Sequence, residues 1–206
     1  MKTRRETHES IKSQKKKKGI LQKAMKLFLR KGYEATSIND ICWVAKLTKP
    51  MLYYYFPGKD HLLFSIHMGV LEKIMQPYLE KAYSIKDPAM RLQTMLKDYT
   101  KIICSRPELR FLLHESLRIK DKNAAEIRKE YKKHYLLLCE TISELQASGK
   151  ITINHKPSWV ALLLLGMISW ISFWFDYNRK GQIDEIANLV MELAFHGVGS
   201  EEIALE

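Results

Sequence analysis

Helical periodicity is the feature of this sequence that most restricts its fold. Apolar residues recur at three- and four-residue intervals almost throughout the 206-residue chain, which is the spacing of one face of an α-helix. Strand-like alternation occurs only briefly, near Ile151 and Ile153. The breaks fall at glycine and proline, namely Pro88, Pro107, Gly149, Pro157 and Gly181. The sequence therefore predicts an all-α protein of about nine helices without a sheet.

Capping residues and breakers give approximate bounds for these helices. Ser37 with Asp40 three residues later fits a capping box, and Thr48 and Asp87 precede prolines that suit a first helical turn. Gly32 is a stop signal after the first helix. The predicted helices run over residues 10–30, 37–45, 49–56, 59–84, 88–104, 107–119, 122–147, 157–177 and 183–196.

Positive charge is concentrated at the N-terminal end. Residues 1–60 contain 15 Lys and Arg against 5 Asp and Glu, a net charge of +10, whereas the rest contain 19 against 18, a net of +1. A localised positive field attracts polyanions such as the DNA backbone. The run Lys15 to Lys18 predicts a basic arm, with a disordered, solubilising tail as the alternative. We expect a DNA-binding domain over residues 1–60 and a second domain over residues 61–206.

The residue types needed for catalysis or metal binding do not cluster in this sequence. Its three cysteines, Cys42, Cys104 and Cys139, stand singly, which argues against a disulfide framework and for the reducing conditions of the cytoplasm. No CxxC or HExxH motif occurs, so no metal site is predicted. The histidines after residue 60 have no Cys or Asp partner at the spacing of a nucleophilic site. We therefore expect neither an enzyme nor a bound cofactor.

One uncharged stretch, residues 159–175, tests whether the chain is soluble. Its length is at the lower limit for a bilayer-spanning helix. Gly166, Ser169 and Ser172 make it less apolar, and no second such segment accompanies it. A helix that is apolar all round can instead pack on its own core with one face and on another subunit with the other. A membrane-surface protein with a basic tail is the alternative.

The short predicted helix over residues 49–56 has two different faces. Three of its side chains cluster on one side of a helical wheel and can pack on the preceding helix: Leu52, Tyr55 and Phe56. Lys49, Tyr53 and Tyr54 lie away from that cluster and face solvent. A helix of this size fits the DNA major groove, where tyrosine hydroxyls and lysine ammonium groups donate to phosphate oxygens. The alternative is that Tyr53 and Tyr54 complete a small core.

The N-terminal region resembles the TetR family of repressors. The resemblance covers about residues 18–66, through Ile20-Leu21, Ala24 and Leu27-Phe28, then KGYEATSINDI, then LTKPMLYYYFPGKDHLL. It implies an all-helical homodimer, with a three-helix DNA-binding domain and a larger ligand-binding domain. Seven residues match positions that contact DNA in the family: Thr36, Ser37, Thr48, Lys49, Tyr53, Tyr54 and Lys59.

Two residues depart from the family pattern. Lys46 stands where the family usually has glycine in the turn, so it must adopt a left-handed conformation or form a different turn. Trp43 replaces a residue that is usually small or polar, and it either covers the domain joint or is exposed.

The C-terminal segment LLLLGMISWISFWFDYNRKGQIDEIANLVMELAFHGV resembles the last two helices of TetR-family members that sense acyl-coenzyme A thioesters. This resemblance implies that helices 157–177 and 183–196 pair with their copies in a four-helix dimer interface. A pocket for a hydrophobic effector is expected among the central helices. The candidate ligand-binding residues, for each of which core packing is the alternative, are Phe111, His114, Glu115, Met167, Trp170 and Trp174. A drug-responsive repressor of an efflux pump is the alternative function.

Overall fold

The computed structural model of the protein describes residues 4–115, 119 and 121–197. Its α-helices are α1 (Arg4–Lys31), α2 (Ile38–Ala45), α3 (Lys49–Tyr55), α4 (Lys59–Val70), α5 (Gln76–Ser84), α6 (Pro88–Ser105), α7 (Pro107–Glu115), α8 (Asp121–Ala147), α9 (Pro157–Trp174) and α10 (Ile183–His196). A π-helical segment, Leu71–Met75, joins α4 to α5 in one continuous helix, and Lys180–Gln182 forms a 3₁₀ turn. With α4 and α5 counted as one, these residues form nine helices and no strand, which confirms the predicted fold class.

The helix bounds differ from the predicted ones by several residues at two places. The first helix starts at Arg4 rather than near residue 10, because the added residues 4–9 include no proline or glycine and four of the six are helix-forming Arg or Glu. α9 ends at Trp174 rather than at residue 177. There the Asp176 carboxylate accepts the backbone N–H of Asn178 at 3.0 Å, a local turn that competes with the helix. Residues 116–118, which belong to the helix predicted over residues 107–119, lie outside the described residues.

The short alternating segment after α8 is not a strand. Ile151 and Ile153 lie in irregular backbone between α8 and α9. The Gln146 side chain donates hydrogen bonds to the carbonyl oxygens of Ile153 (2.8 Å) and His155 (2.7 Å). The backbone of this segment is therefore held by a side chain of α8, so that no partner strand is needed to satisfy these carbonyl groups.

Contacts divide the chain into two compact units. The first unit comprises the described residues up to Val70 and those between Phe111 and Ala125. Within it, α1 packs against α2 and α4, and α2 packs against α3. The fully buried side chains at these contacts are Ala24, Phe28, Ile41, Leu52 and Leu62. Each large one contributes about 1.5–3 kcal/mol of burial free energy, which holds the short helices α2 and α3 in place.

The second unit comprises Leu71–Arg110 and the described residues from Glu126 onward. Its central helix is α6, which packs against α5, α9 and α10. Its core also holds a polar cluster, in which the Tyr78 hydroxyl lies 2.8 Å from His134 Nε2 and the Tyr99 ring lies 4.6 Å from the imidazole. Burial lowers the pKa of His134 to about 4. The imidazole is therefore neutral at physiological pH.

The predicted domain boundary between residues 60 and 61 stays a prediction.

Candidate nucleic-acid interface

The N-terminus of α2 is fixed by a complete capping box. Ser37 Oγ accepts the backbone N–H of Asp40 at 3.1 Å, and the Asp40 carboxylate accepts the backbone N–H of Ser37 at 2.9 Å. Lys31 Nζ lies 2.9 Å from the same carboxylate. The hydrogen bond from the Ser37 backbone N–H is the main reason that the pKa of Asp40 lies well below its usual range, and the hydrogen bond from Lys31 is the next. The capping box predicted from the sequence is confirmed, and it keeps Ser37 exposed at the start of the helix.

The turn between α2 and α3 passes through a left-handed residue. Lys46 has φ 56° and ψ 51°, and its backbone N–H donates to Cys42 and Trp43 carbonyl oxygens. Of the two geometries left open for Lys46, the structure has the left-handed one. Leu47 N–H also donates to the Cys42 carbonyl, at 3.0 Å. The turn therefore keeps the usual helix-ending hydrogen bonds at the cost of placing a Cβ where glycine is favoured.

We predict that Lys46→Gly raises the free energy of unfolding by about 0.5–1 kcal/mol. Glycine removes the left-handed Cβ penalty of about 1–2 kcal/mol, and its greater freedom in the unfolded chain offsets part of that gain. Urea unfolding followed by circular dichroism would measure the change. Lys46→Ala is the matched control, because it removes the same charge and keeps a Cβ at positive φ. A glycine variant no more stable than the alanine variant would refute the prediction.

α3 presents the side chains that the sequence predicted to face DNA. Tyr54 is 81% exposed and Tyr53 is 47% exposed, and Lys49 is also exposed. On the other side, Leu52 and Phe56 are buried, while Tyr55 is only partly buried and meets the Tyr54 ring edge-on. The two-faced helix is confirmed, except that Tyr55 is not a full core residue. Thr48 occupies the cap position of α3 without a side-chain capping hydrogen bond.

Two of the predicted DNA-contacting residues are engaged inside the first unit. The Thr36 side chain is fully buried, and its hydroxyl donates to the Gly32 carbonyl at 2.7 Å. Lys59 Nζ donates to the carbonyl oxygens of Tyr33 (3.0 Å) and Thr36 (3.2 Å), and it lies 4.2 Å from the centre of the Tyr33 ring. Both side chains therefore hold the loop between α1 and α2. A direct DNA contact by either residue stays a prediction.

The lysine run predicted as a basic arm is helical. Lys15 to Lys18 lie in α1 and are all exposed. Lys16 Nζ lies 3.2 Å from Met51 Sδ, and Lys17 Nζ lies 5.5 Å from the centre of the Phe56 ring. The disordered-tail interpretation of these four residues was wrong. The run adds positive charge beside α3, which the sequence could not reveal because the contact joins segments 35 residues apart.

Trp43 is also exposed, on the helix that packs against α3. Its side chain is 81% exposed on α2, which decides between the two alternatives that its unusual size left open. The neighbouring Ile41 and Cys42 are buried, so these two residues, and not Trp43, pack α2 on the core. An aromatic ring of this size adds a large apolar contact area next to the positively charged helices.

The six residues predicted to bind ligand divide equally between the two units. Phe111, His114 and Glu115 lie on α7 in the first unit, where the Phe111 ring stacks on Phe28 with a centroid distance of 6.0 Å. Met167, Trp170 and Trp174 lie on α9 in the second unit and line an apolar groove of 500 Å³ between α9 and α10. Ligand contact by any of the six stays a prediction.

α9 and α10 leave a large apolar surface exposed. On α9 only Ala161, Ile168, Ile171 and Ser172 are buried. The exposed side chains of the two helices include Leu163 (75%), Trp170 (61%) and Leu189 (49%). α9 is long and apolar enough to cross a membrane by length and composition alone, which is weak evidence for a span. An exposed patch of this kind is typical of an interface.

Comparisons with known proteins match both parts of the chain. Residues 20–66 match the family described as bacterial regulatory proteins, tetR family. Residues 86–198 match the family described as tetracyclin repressor-like, C-terminal domain. The first match contains α2 and α3, and the second contains α6 to α10. The exposed face of α3 therefore lies within the first matched segment, and the exposed apolar face of α9 and α10 lies within the second.

Individual proteins agree with these matches. The uncharacterized HTH-type transcriptional regulator YuxN of Bacillus subtilis (strain 168) is 45% identical over 51 residues, which are 25% of this chain and only 18% of YuxN. The TetR family transcriptional regulator PfmR of Thermus thermophilus is 25% identical, with a TM-score of 0.78 over 88% of this chain and 99% of that one. AibR, in complex with isovaleryl coenzyme A and operator DNA, is 26% identical, with a TM-score of 0.76 over 88% and 98%.

Proposed function

The chain belongs to the TetR family of bacterial regulatory proteins, and we propose that it is a cytoplasmic, homodimeric repressor released from a palindromic operator by an acyl-coenzyme A. The matched families and relatives are transcriptional regulators, and the chain is a DNA-binding regulator rather than an enzyme. Our proposal adds three features to this family assignment, namely repression, homodimerisation and control by an effector.

The exposed face of α3 is the observation that carries the proposal. Lys49, Tyr53 and Tyr54 all point away from the core of the first unit. Residues 1–60 carry 15 Lys and Arg against 5 Asp and Glu, a net charge of +10. Ammonium and hydroxyl groups on a helix that fits the major groove can donate to phosphate oxygens and fix the register on DNA. The positive field supplies attraction that depends on salt and not on sequence.

A second copy of the chain is the proposed occupant of the apolar face of α9 and α10. Exposed Leu163, Trp170 and Leu189 would be removed from water by pairing of these helices with their copies. A two-fold dimer presents two α3 helices, and it reads a palindromic site when they lie about 34–36 Å apart, one turn of DNA. Dimerisation would bury this apolar surface against a second copy of the chain, so that no membrane is needed to remove it from water.

The effector class is proposed from one relative and from the composition of the second unit. AibR, at 26% identity, has been solved with isovaleryl coenzyme A. The core between α5, α6 and α8 is mainly apolar, with the cluster of Tyr78, Tyr99 and His134 as its polar groups that reach between helices. The buried Thr100 and Thr141 hydroxyls instead donate to carbonyl oxygens of their own helices. Apolar walls with a few placed polar groups are the usual composition of a site for a hydrophobic ligand.

The proposed signal travels along the continuous helix of α4, the π-helical segment and α5. This helix begins in the first unit and ends in the second. An effector that prefers one setting of the helix in the second unit would shift the spacing of the two α3 helices in the dimer. A coupling free energy of about 1–3 kcal/mol corresponds to a 5- to 150-fold change in DNA affinity.

We predict that an acyl-coenzyme A lowers the affinity of the full-length protein for its operator about 5- to 150-fold. The operator would be selected from a random duplex library, and release would be followed by fluorescence anisotropy at constant salt. The matched control is the free carboxylic acid of each thioester. Release only by cationic amphiphiles would replace the acyl-coenzyme A effector with a drug-like one. Release by no compound would contradict control by an effector.

A further inference from the structure

A groove on the second unit, separate from the one between α9 and α10, lies between α5 and α6. Its volume is 420 Å³. Lys73, Pro77 and Lys81 follow one another at four-residue intervals along one wall. Asp98, Lys101, Ile102 and Ser105 form the other wall, at the i, i+3, i+4 and i+7 spacing of one helical face. The groove is therefore built by two facing helices and not by a loop.

Positive charge predominates in this groove. The lining includes four cations, Lys73, Lys81, Lys101 and Arg106, and one carboxylate, Asp98. The chain after residue 60 holds 19 basic and 18 acidic residues with the groove included, which leaves 15 basic and 17 acidic residues outside it. The local excess is therefore a property of this groove and not of the unit as a whole.

Two of the four cations are held in place, and two are uncommitted. Lys81 Nζ lies 2.5 Å from Asp98, and Lys101 Nζ lies 2.5 Å from Asp184 of α10. Lys101 lowers the pKa of Asp184, which keeps that partner charged. Neither Lys73 nor Arg106 forms an ion pair with any residue that the structure describes. Their charged groups are free to meet an anion.

The groove also has an apolar part. Ile74, Pro77 and Ile102 contribute to the lining, and the Tyr78 ring reaches it from the core. Inorganic phosphate could use only the cations. An organic phosphate with an apolar or aromatic portion would use both parts, because lysine and arginine bind phosphate oxygens and the apolar side chains cover the rest.

We propose that the groove between α5 and α6 binds the phosphate-bearing portion of an organic phosphate effector, with Lys73 and Arg106 as its anion-binding residues. The identification of that molecule as a coenzyme A thioester rests on the function proposed above. Arg106 precedes Pro107 at the end of α6, and Lys73 lies in the π-helical segment. Occupation of the groove would therefore link the end of α6 to the helix that joins the two units.

Calorimetric titration of the full-length protein with coenzyme A tests this proposal. The double variant Lys73→Gln/Arg106→Gln should bind coenzyme A about tenfold more weakly than the wild type, because it loses two charge-assisted contacts to phosphate whose strength is reduced by solvent screening in an exposed groove. Lys129→Gln is the control, because Lys129 is exposed on α8 and does not line the groove. Lys73 and Arg106 are both exposed, so circular dichroism should show that the double variant folds like the wild type.

Each other outcome decides one of the two proposals. Equal coenzyme A affinities for the wild type and the double variant would overturn the groove assignment, as would binding of inorganic phosphate as tight as that of coenzyme A. Operator release from the double variant at the wild-type thioester concentration would also overturn it, while the proposed effector class would stand. Coenzyme A binding that depends on Lys73 and Arg106, without operator release by any thioester, would support the groove and contradict the effector.

Discussion

Leu163→Asp is expected to convert the dimer into a monomer and to lower operator affinity at least about 100-fold. Leu163 is 75% exposed on α9 in the single chain, and the proposed dimer would bury it against the second copy. An unpaired carboxylate in a buried interface costs several kcal/mol. A monomer also forgoes the gain of about 10²–10⁴ that comes from linking two half-site interactions. Light scattering after size exclusion, with operator binding by anisotropy, would measure both effects.

Met90→Asp is the matched control for this experiment. Met90 is 59% exposed near the start of α6, and it belongs to neither α9 nor α10. The same change of charge there should leave the dimer and the operator affinity unchanged. A Leu163→Asp protein that remains dimeric at micromolar concentration, or a wild type that is monomeric there, would show that α9 is not the interface.

The second large effect is expected at the exposed face of α3. Lys49→Ala with Tyr54→Ala should lower operator affinity roughly 100-fold, because a dimer uses each side chain at both half-sites and each hydrogen bond is worth about 0.5–1.5 kcal/mol. Lys49→Ala alone should also reduce the slope of log affinity against log salt by about 0.9 for each phosphate group that is no longer neutralised. Both side chains are exposed, so the free energy of unfolding should change by less than about 0.5 kcal/mol.

Two companion variants separate the causes of that weaker binding. Tyr83→Ala removes another tyrosine, 56% exposed on α5, and should leave operator affinity unchanged. Tyr54→Phe removes only the hydroxyl group, so it distinguishes a hydrogen bond to phosphate from contact by the ring. Wild-type affinity of the double alanine variant at matched salt would mean that α3 is not the recognition helix.

Much of the fold follows from local sequence signals. Ser37 and Asp40 form the capping box that their spacing predicted. The Asp87 side chain accepts the Ala89 N–H at 3.3 Å and caps α6 as expected. Glycine and proline mark the ends of most helices because their effects on the backbone are local. The amphipathic α3 was predictable for the same reason, since its two faces are set within seven residues.

What the sequence did not reveal depends on contacts between distant segments. Thr36 is polar, and its complete burial follows from the Gly32 carbonyl that receives its hydroxyl. The ammonium group of Lys59 donates to carbonyl oxygens 26 and 23 residues away, and its predicted contact with DNA stays a prediction. The hydrogen bond between Tyr78 and His134 spans 56 residues. No local pattern distinguishes such polar side chains from exposed ones on the same helices.

The π-helical segment Leu71–Met75 determines where the long helix can tolerate a change of one residue in its length. Each residue of a regular helix turns the chain by about 100°, and a π turn accommodates one residue more than the α-helical ladder can. A deletion of one residue there would let the segment close into a regular α-helix, so that α5 would keep its register and Tyr78 would still meet His134. Evolution can therefore remove one residue from this segment without changing the contacts that follow, whereas the loss of one residue from the regular turns of α5 would rotate every later side chain by about 100°.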